Sequence, residues 1–108
     1  MSKYQYSRQN EVFLKKLKSL RESRQLRQAD LGDLLGRSQG WVSYVESGAT
    51  TLNVIELREW VEALDYSFME FLQDLDDELR WLSSVGLRTL PRKRAGGAAN
   101  GGRASGEK

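Results

Sequence analysis

The sequence contains no cysteine and no histidine among its 108 residues, and its single proline is Pro91. Without cysteine the chain can form no disulfide framework, no thiolate nucleophile and no cysteine-bound metal site. Without histidine it lacks the usual general base of enzymes and the commonest metal ligand. We therefore expect no enzyme, no metal site and no other cofactor.

A long apolar run is also missing. No stretch of the sequence approaches the roughly 20 apolar residues that a membrane-spanning helix needs. The first ten residues lack the apolar core of a signal peptide. We therefore expect a cytoplasmic protein that does not interact with a membrane. Hydrophobic residues make up 39% of the chain, which at this length is enough for one small helical domain.

The charged side chains are segregated along the chain. Residues 1–50 contain nine basic and five acidic side chains, residues 51–79 one basic and nine acidic, and residues 80–108 seven basic and one acidic. Acidic side chains on helix surfaces are ordinarily only solvated, but that alone does not account for this sorting. A polyanionic partner is expected to meet the first half and the tail, with the acidic middle facing away from it.

Two short helices joined by a tight turn are predicted between residues 28 and 48. In the first, residues 28–35, Leu31, Leu34 and Leu35 follow the i, i+3, i+4 spacing of a helix with one buried face. Gly36 is suited to the left-handed conformation that ends a helix. Ser38 can then cap the second helix, because its hydroxyl oxygen can accept from a free amide of the following turn.

The second of these helices, residues 39–47, has an unusual outer face. Val42 and Val45 are predicted to point inward. The opposite face carries small or uncharged hydrogen-bonding residues, where a solvated helix would normally carry lysine and glutamate: Gln39, Gly40, Ser43 and Tyr44. This pattern predicts contact with a partner that has donor and acceptor groups of its own.

Three further helices complete an all-α prediction. Residues 11–23 form the first, with Val12, Phe13, Leu17 and Leu20 inside. A capping box from Asn53 to Glu56 starts the fourth helix, whose apolar stripe is Val54, Leu57, Val61 and Leu64. The adjacent Trp60 is expected to cover the flank of the domain. A second box, Ser67 to Glu70, starts a fifth helix that reaches about Ser83. The predicted units are a flexible N-terminal arm (1–10), a domain (11–75), a helical extension (76–88) and a disordered, basic, glycine-rich tail (89–108).

The segment from Gln28 to Gly48 resembles the helix-turn-helix of the Cro/CI-like (lambda-repressor-like, XRE) DNA-binding domains. The similarity extends from about Phe13 to about Leu75. It implies a compact five-helix lambda-repressor-like domain, here with an extended last helix. The matching features are Gln28 at the start of a helix, the small Gly32, Gly36 in the turn, inward Val42 and Val45, and Glu46-Ser47-Gly48 at the end.

The resemblance also assigns roles to individual residues. It implies an ion pair between Arg21 and Glu46 that ties the first helix to the recognition helix; the alternative is two independent surface charges. Relatives often have a glycine at the position of Gln25 and a threonine cap at that of Arg27. Since an arginine side chain cannot accept a hydrogen bond, the usual side-chain cap is expected to be missing.

Contacts with double-stranded DNA are expected in two groups. The base contacts are Gln39, whose amide suits the N6 and N7 atoms of adenine, with Gly40, Ser43 and Tyr44. For Trp41 there are two readings, a structural role at the edge of the core and a contact with the DNA backbone. The phosphate contacts, placed at a helix start, in the turn and after the recognition helix, are Gln28, Arg27, Arg37, Trp41, Thr50 and Thr51.

An apolar stripe continues beyond the end of the family domain, through Leu75, Leu79, Trp81 and Leu82. These residues either bury against the first helix of the same chain or form the contact of a homodimer.

Taken together, the sequence predicts a transcriptional regulator, a repressor of a prokaryotic or phage promoter. The alternatives are an antitoxin with a second small protein as its partner, and a protein-interaction module that has lost DNA binding.

Overall fold

Five α-helices follow one another in the computed structural model of the chain, which describes residues 7–86. Their bounds are α1 (Arg8–Ser23), α2 (Gln28–Leu35), α3 (Gln39–Ser47), α4 (Val54–Ala63) and α5 (Phe68–Gly86). The described part of the chain contains no strand, so the predicted all-α, five-helix class is confirmed. The predicted tail, residues 89–108, and the first six residues of the predicted arm lie outside the described residues.

The first helix begins earlier than the sequence analysis predicts. It starts at Arg8 and not at Glu11, because the Ser7 hydroxyl oxygen accepts a hydrogen bond from the backbone N–H of Asn10 at 3.0 Å. This is the usual side-chain cap of a helix N-terminus. The last three residues of the predicted flexible arm are therefore helical.

All five helices contribute to one core. Its members are Leu17, Leu31, Val42, Val45, Leu57, Trp60, Val61, Leu64 and Phe71. The prediction that Trp60 covers a flank was wrong, since its side chain is fully buried as a member of this cluster. Leu34 and Val54 are exposed although their spacing predicted burial. The eight-residue α2 turns only a narrow stripe inward, and Val54 is the first residue of α4.

The α1–α2 and α4–α5 turns use the same left-handed backbone conformation and are tied together. Gln25 has a φ of 62° and Asp65 a φ of 59°. The Arg24 guanidinium donates to the backbone oxygen of Leu64 at 2.7 Å and to that of Asp65 at 3.0 Å. A left-handed φ favours glycine, so the two turns hold Gln25 and Asp65 in a conformation that side chains rarely adopt.

The last helix extends the fold along α1. It reaches Gly86, three residues beyond the predicted end, since a glycine lowers helix propensity without forbidding the helix. Leu75 packs against the core of its own chain and Leu82 is buried, so these two residues follow the intrachain alternative. Leu79 is half-buried, whereas the Trp81 side chain is 65% exposed.

Candidate nucleic-acid interface

The candidate recognition helix α3 is fixed by its two buried valines and open on its other side. Val42 and Val45 are buried in the core. On the opposite side Gln39 is exposed and Tyr44 is 62% exposed, while Gly40 and Ser43 are half-buried. The uncharged face that the sequence analysis singled out is therefore accessible, and its polar groups can meet a partner.

Short-range backbone chemistry sets the position of α3 after the turn. Gly36 ends α2 with a φ of 68°, and the Ser38 hydroxyl accepts from the backbone N–H of Trp41 at 3.0 Å. A Cβ atom on Gly32 would lie only 2.7 Å from the backbone oxygen of Arg37. The small residue in α2 thus makes room for the backbone of the turn.

A buried ion pair anchors α3 to α1. Arg21 donates through Nε to Glu46 Oε2 at 2.7 Å and through Nη2 to Glu46 Oε1 at 3.0 Å. The two side chains are only 8% and 4% exposed. A third donor of Arg21, Nη1, reaches the backbone oxygen of Leu26 at 2.7 Å. The hydrogen bond with Glu46 raises the pKa of Arg21, although burial acts in the opposite direction.

The ion pair continues through two glutamines to the open face. Gln28 Nε2 donates to Glu46 Oε1 at 3.0 Å, and Gln39 Nε2 donates to Gln28 Oε1 at 2.8 Å. Because the carboxylate of Glu46 can only accept, it fixes which end of the Gln28 amide points toward it. Gln28 then presents its oxygen to Gln39, which fixes the orientation of that amide in turn.

This relay leaves Gln39 with a defined set of free groups. One amide N–H is used by Gln28, so the second N–H and the oxygen Oε1 are available to a ligand. A donor and an acceptor side by side on one planar amide match the N7 and N6 atoms of adenine in the major groove. Sequence analysis proposed Gln28 and Gln39 separately and missed the hydrogen bond between them.

The turn before α3 is held to α4 by a second polar assembly. The Arg37 guanidinium donates to Glu56 Oε2 at 3.0 Å and lies 4.3 Å from the centre of the Trp41 ring. The Trp41 ring packs on Trp60, with ring centres 6.1 Å apart. Trp41 therefore has the structural role that was one of its two readings. The contacts of Arg37 and Trp41 with phosphate stay predictions.

The remaining phosphate candidates lie at two helix ends. Arg27 precedes α2; its guanidinium is exposed and pairs with Asp30 at 2.9 Å. The Asp30 carboxylate also accepts a hydrogen bond from the backbone N–H of Arg27 at 2.8 Å. This is one of the two hydrogen bonds of a capping box; the other would need an acceptor on the side chain of Arg27. Thr50 and Thr51, after α3, line a cavity of about 280 Å³ beside α1. Their contact with DNA stays a prediction.

Among residues 7–86 no group of three or more acidic side chains is arranged to hold a metal ion. None of the described helices is both long and apolar enough to cross a membrane.

The comparisons with known proteins agree with this geometry. A family model described as a helix-turn-helix domain matches residues 13–68, just over half of the chain. No curated protein and no solved structure matches the chain. The matched segment begins within α1, includes α2, α3 and α4, and ends on the first residue of α5. The rest of α5 therefore lies beyond the part of the chain that the family defines.

Proposed function

The chain belongs to the helix-turn-helix domain family, and from that premise we propose that it is a sequence-specific regulator of transcription that binds double-stranded DNA. The observation that carries the proposal is the open, uncharged face of α3, whose first side chain is oriented by a buried ion pair. We further propose that it is a Cro/CI-like (XRE) repressor of prokaryotic or phage origin, and that it acts in the cytoplasm.

Base readout would come from the first turns of α3. A helix fits the major groove of B-DNA, and residues near its N-terminus reach the base edges. Gln39 would read adenine with its free N–H and Oε1. Ser43 and the exposed Tyr44 lie one turn further along, where a hydroxyl can donate to a base or a phosphate. A Cβ atom on Gly40 would meet no side chain closer than the Ser38 hydroxyl, at 3.8 Å, so a DNA backbone or base could approach closely.

Phosphate contacts would hold this helix in register. The first amides of α2 point out beside Gln28, and a helix N-terminus attracts anions. The exposed guanidinium of Arg27 lies at the same helix end, and Arg37 stands in the turn before α3. We propose these residues, together with Trp41, Thr50 and Thr51, as the contacts that set the salt dependence of binding.

The charge distribution supports the same orientation on DNA. The segment from Thr51 to Leu79 contains nine acidic side chains and one basic side chain. Most of this segment forms α4 and α5, which follow the recognition helix. A phosphate backbone would repel it, so α4 and α5 would face away from the duplex. Two copies of the chain, each inserting α3, would then read an inverted repeat with half-sites about 34 Å apart.

Selection of binding sites from random duplex DNA tests the proposal. We expect an inverted repeat, and Gln39→Ala should lose about 1–3 kcal/mol of discrimination at one base pair of each half-site. The salt dependence of this variant should stay unchanged, since no phosphate contact is removed. Gln73→Ala, an exposed glutamine on α5, is the matched control and should select the wild-type sequence.

Two results would count against the proposal. Failure of the wild-type chain to enrich any sequence would favour a protein-interaction module over a regulator. An unaltered sequence preference in Gln39→Ala would remove Gln39 from the readout, and with it the role proposed for the relay from Glu46.

A further inference from the structure

The relay that begins at the buried ion pair holds the amide of Gln39 in one orientation. Gln39 Nε2 donates to Gln28 Oε1 at 2.8 Å, and Gln28 Nε2 donates to Glu46 Oε1 at 3.0 Å. Glu46 accepts two hydrogen bonds from Arg21, and its side chain is only 4% exposed. Because a carboxylate can only accept, donors and acceptors follow one order along the relay. Turning the Gln39 amide over would place its oxygen against the oxygen of Gln28.

An amide held in this way makes a fixed demand on the base that it meets. Its oxygen Oε1 needs a donor, and its remaining N–H needs an acceptor. Adenine supplies both in the major groove, through its amino group at N6 and its ring nitrogen N7. One N6–H of a paired adenine is bonded to thymine. The hydrogen on the groove side is therefore the only N6 donor that Gln39 can use.

A methyl group on N6 of adenine removes that donor. The pairing hydrogen has to stay for the A·T pair to form, so the methyl group replaces the hydrogen on the groove side, next to N7. Gln39 Oε1 would then face a methyl group, and the approach to N7 would be partly covered. The amide could not turn over without losing its hydrogen bond to Gln28, and the methylated edge offers no acceptor at N6 in any case.

We propose that methylation of adenine N6 in a half-site releases the chain from its DNA site, so that adenine methylation regulates its binding. The inference rests on the proposed function and goes beyond it, because it concerns the modification of the base and not its identity. Gln28 acts here as a positioning residue, through Gln39. Methylation of a pyrimidine at C5 in the adjacent base pair should be tolerated, since Gly40 beside Gln39 has no side chain to meet the methyl group.

Binding of the full chain to methylated and unmethylated duplexes of the selected sequence tests the proposal, with fluorescence anisotropy as the measurement. The adenine to methylate is the one at which Gln39→Ala loses discrimination. We expect its N6-methylation in both half-sites to weaken binding of the wild type by about tenfold or more, because a hydrogen bond is lost and a desolvated oxygen has no donor. N6-methylation of an adenine outside the half-sites is the control for effects on the duplex itself and should leave binding unchanged.

The ratio of the affinities for the unmethylated and the methylated duplex is the readout for variants of the chain. The preference should disappear in Gln39→Ala. It should fall in Gln28→Ala, where the Gln39 side chain remains but is no longer held. Both duplexes have the same phosphates, so the ratio cancels any contact of Gln28 with phosphate. Gln73→Ala on α5 should keep the wild-type ratio, and circular dichroism checks that every variant remains helical.

The possible failures are distinguishable. Equal affinity of the wild type for the two duplexes overturns this inference and leaves sequence-specific binding standing. A selected base other than adenine at the pair read by Gln39 does the same. A preference that survives in Gln39→Ala also overturns it, because the methyl group would then act elsewhere. If the wild type selects no sequence at all, both this inference and the proposed function fail.

Discussion

The helix-turn-helix segment and the rest of α5 bury their apolar residues in the same way but differ in what they leave open. In the segment, α3 turns Val42 and Val45 into the core and presents an uncharged face. Beyond it, α5 buries Phe71 and Leu82 and presents mainly charged residues. In both regions the apolar residues recur at helical spacing and form one buried face. The open faces differ: that of α3 offers uncharged groups that can form directed hydrogen bonds, whereas that of α5 carries charges that are solvated or form ion pairs.

The two regions also use ion pairs differently. The Arg21–Glu46 pair is buried and passes its orientation through Gln28 to the open face of α3. The Arg80–Asp76 pair on α5 lies at the surface, with its side chains 78% and 54% exposed. A buried pair holds its partners in one geometry, and removing one partner strands a charge. An exposed pair contributes little to stability, because water and salt screen its charges.

Removing the acidic partner of each ion pair should give the largest difference in stability between the two regions. Glu46→Ala leaves the Arg21 charge buried without its carboxylate and is expected to destabilise the fold by about 3–5 kcal/mol. Asp76→Ala should cause little or no change, since its pair is exposed. Urea unfolding followed by circular dichroism measures both. Equal effects of the two substitutions would contradict the distinction.

The tryptophans give a second contrast of similar kind. Trp60 is fully buried in the core, and Trp60→Ala should cost about 3–5 kcal/mol through lost contacts and the cavity left behind. Trp81→Ala changes an exposed side chain and should alter the stability of the single chain by no more than about 0.5 kcal/mol. Urea midpoints at a concentration where the chain is monomeric provide the measurement. A large loss in Trp81→Ala would place Trp81 in the core of its own chain.

Local signals predicted much of the helix-turn-helix. The bounds of α2 and α3 match the structure because Gly36, Ser38 and Gly48 act on adjacent backbone. Asn53 caps α4 as its capping box predicts, accepting from the backbone N–H of Glu56 at 2.8 Å. The chemistry that ends or begins a helix is contained in a few neighbouring residues, so a sequence displays it directly.

What the sequence could not show depends on residues far apart in the chain. The hydrogen bond from Gln39 to Gln28 joins residues eleven positions apart, and nothing in the local pattern pairs them. The burial of Trp60 follows from its packing against Trp41 on another helix. The residue type of Gln25 gives no sign of its left-handed φ of 62°. Tertiary packing decides the first two, whereas the φ of Gln25 belongs to the local turn that closes α1, where its backbone N–H donates to the backbone oxygen of Glu22 at 2.9 Å.

The weakest contrast lies at the start of α2, where capping by a carboxylate should appear as a pH dependence. The side chain and backbone N–H of Arg27 donate to the Asp30 carboxylate and lower its pKa from an ordinary value of 3.8 to about 2. A carboxyl whose pKa is lower in the folded state stabilises the fold above its unfolded pKa. That contribution should be present above about pH 4 and be lost as the pH falls from there to about 2.

Asp30→Asn isolates this effect, because the amide keeps the size of the side chain but cannot titrate. The free energy of unfolding, measured in urea between pH 2 and pH 5, should rise with pH less steeply in the variant than in the wild type. A carbon-detected NMR titration of the Asp30 carboxyl should give its midpoint near pH 2. A midpoint near 3.8 would mean that Arg27 does not hold the carboxylate in solution, and that its guanidinium is free to meet a phosphate without first leaving a partner.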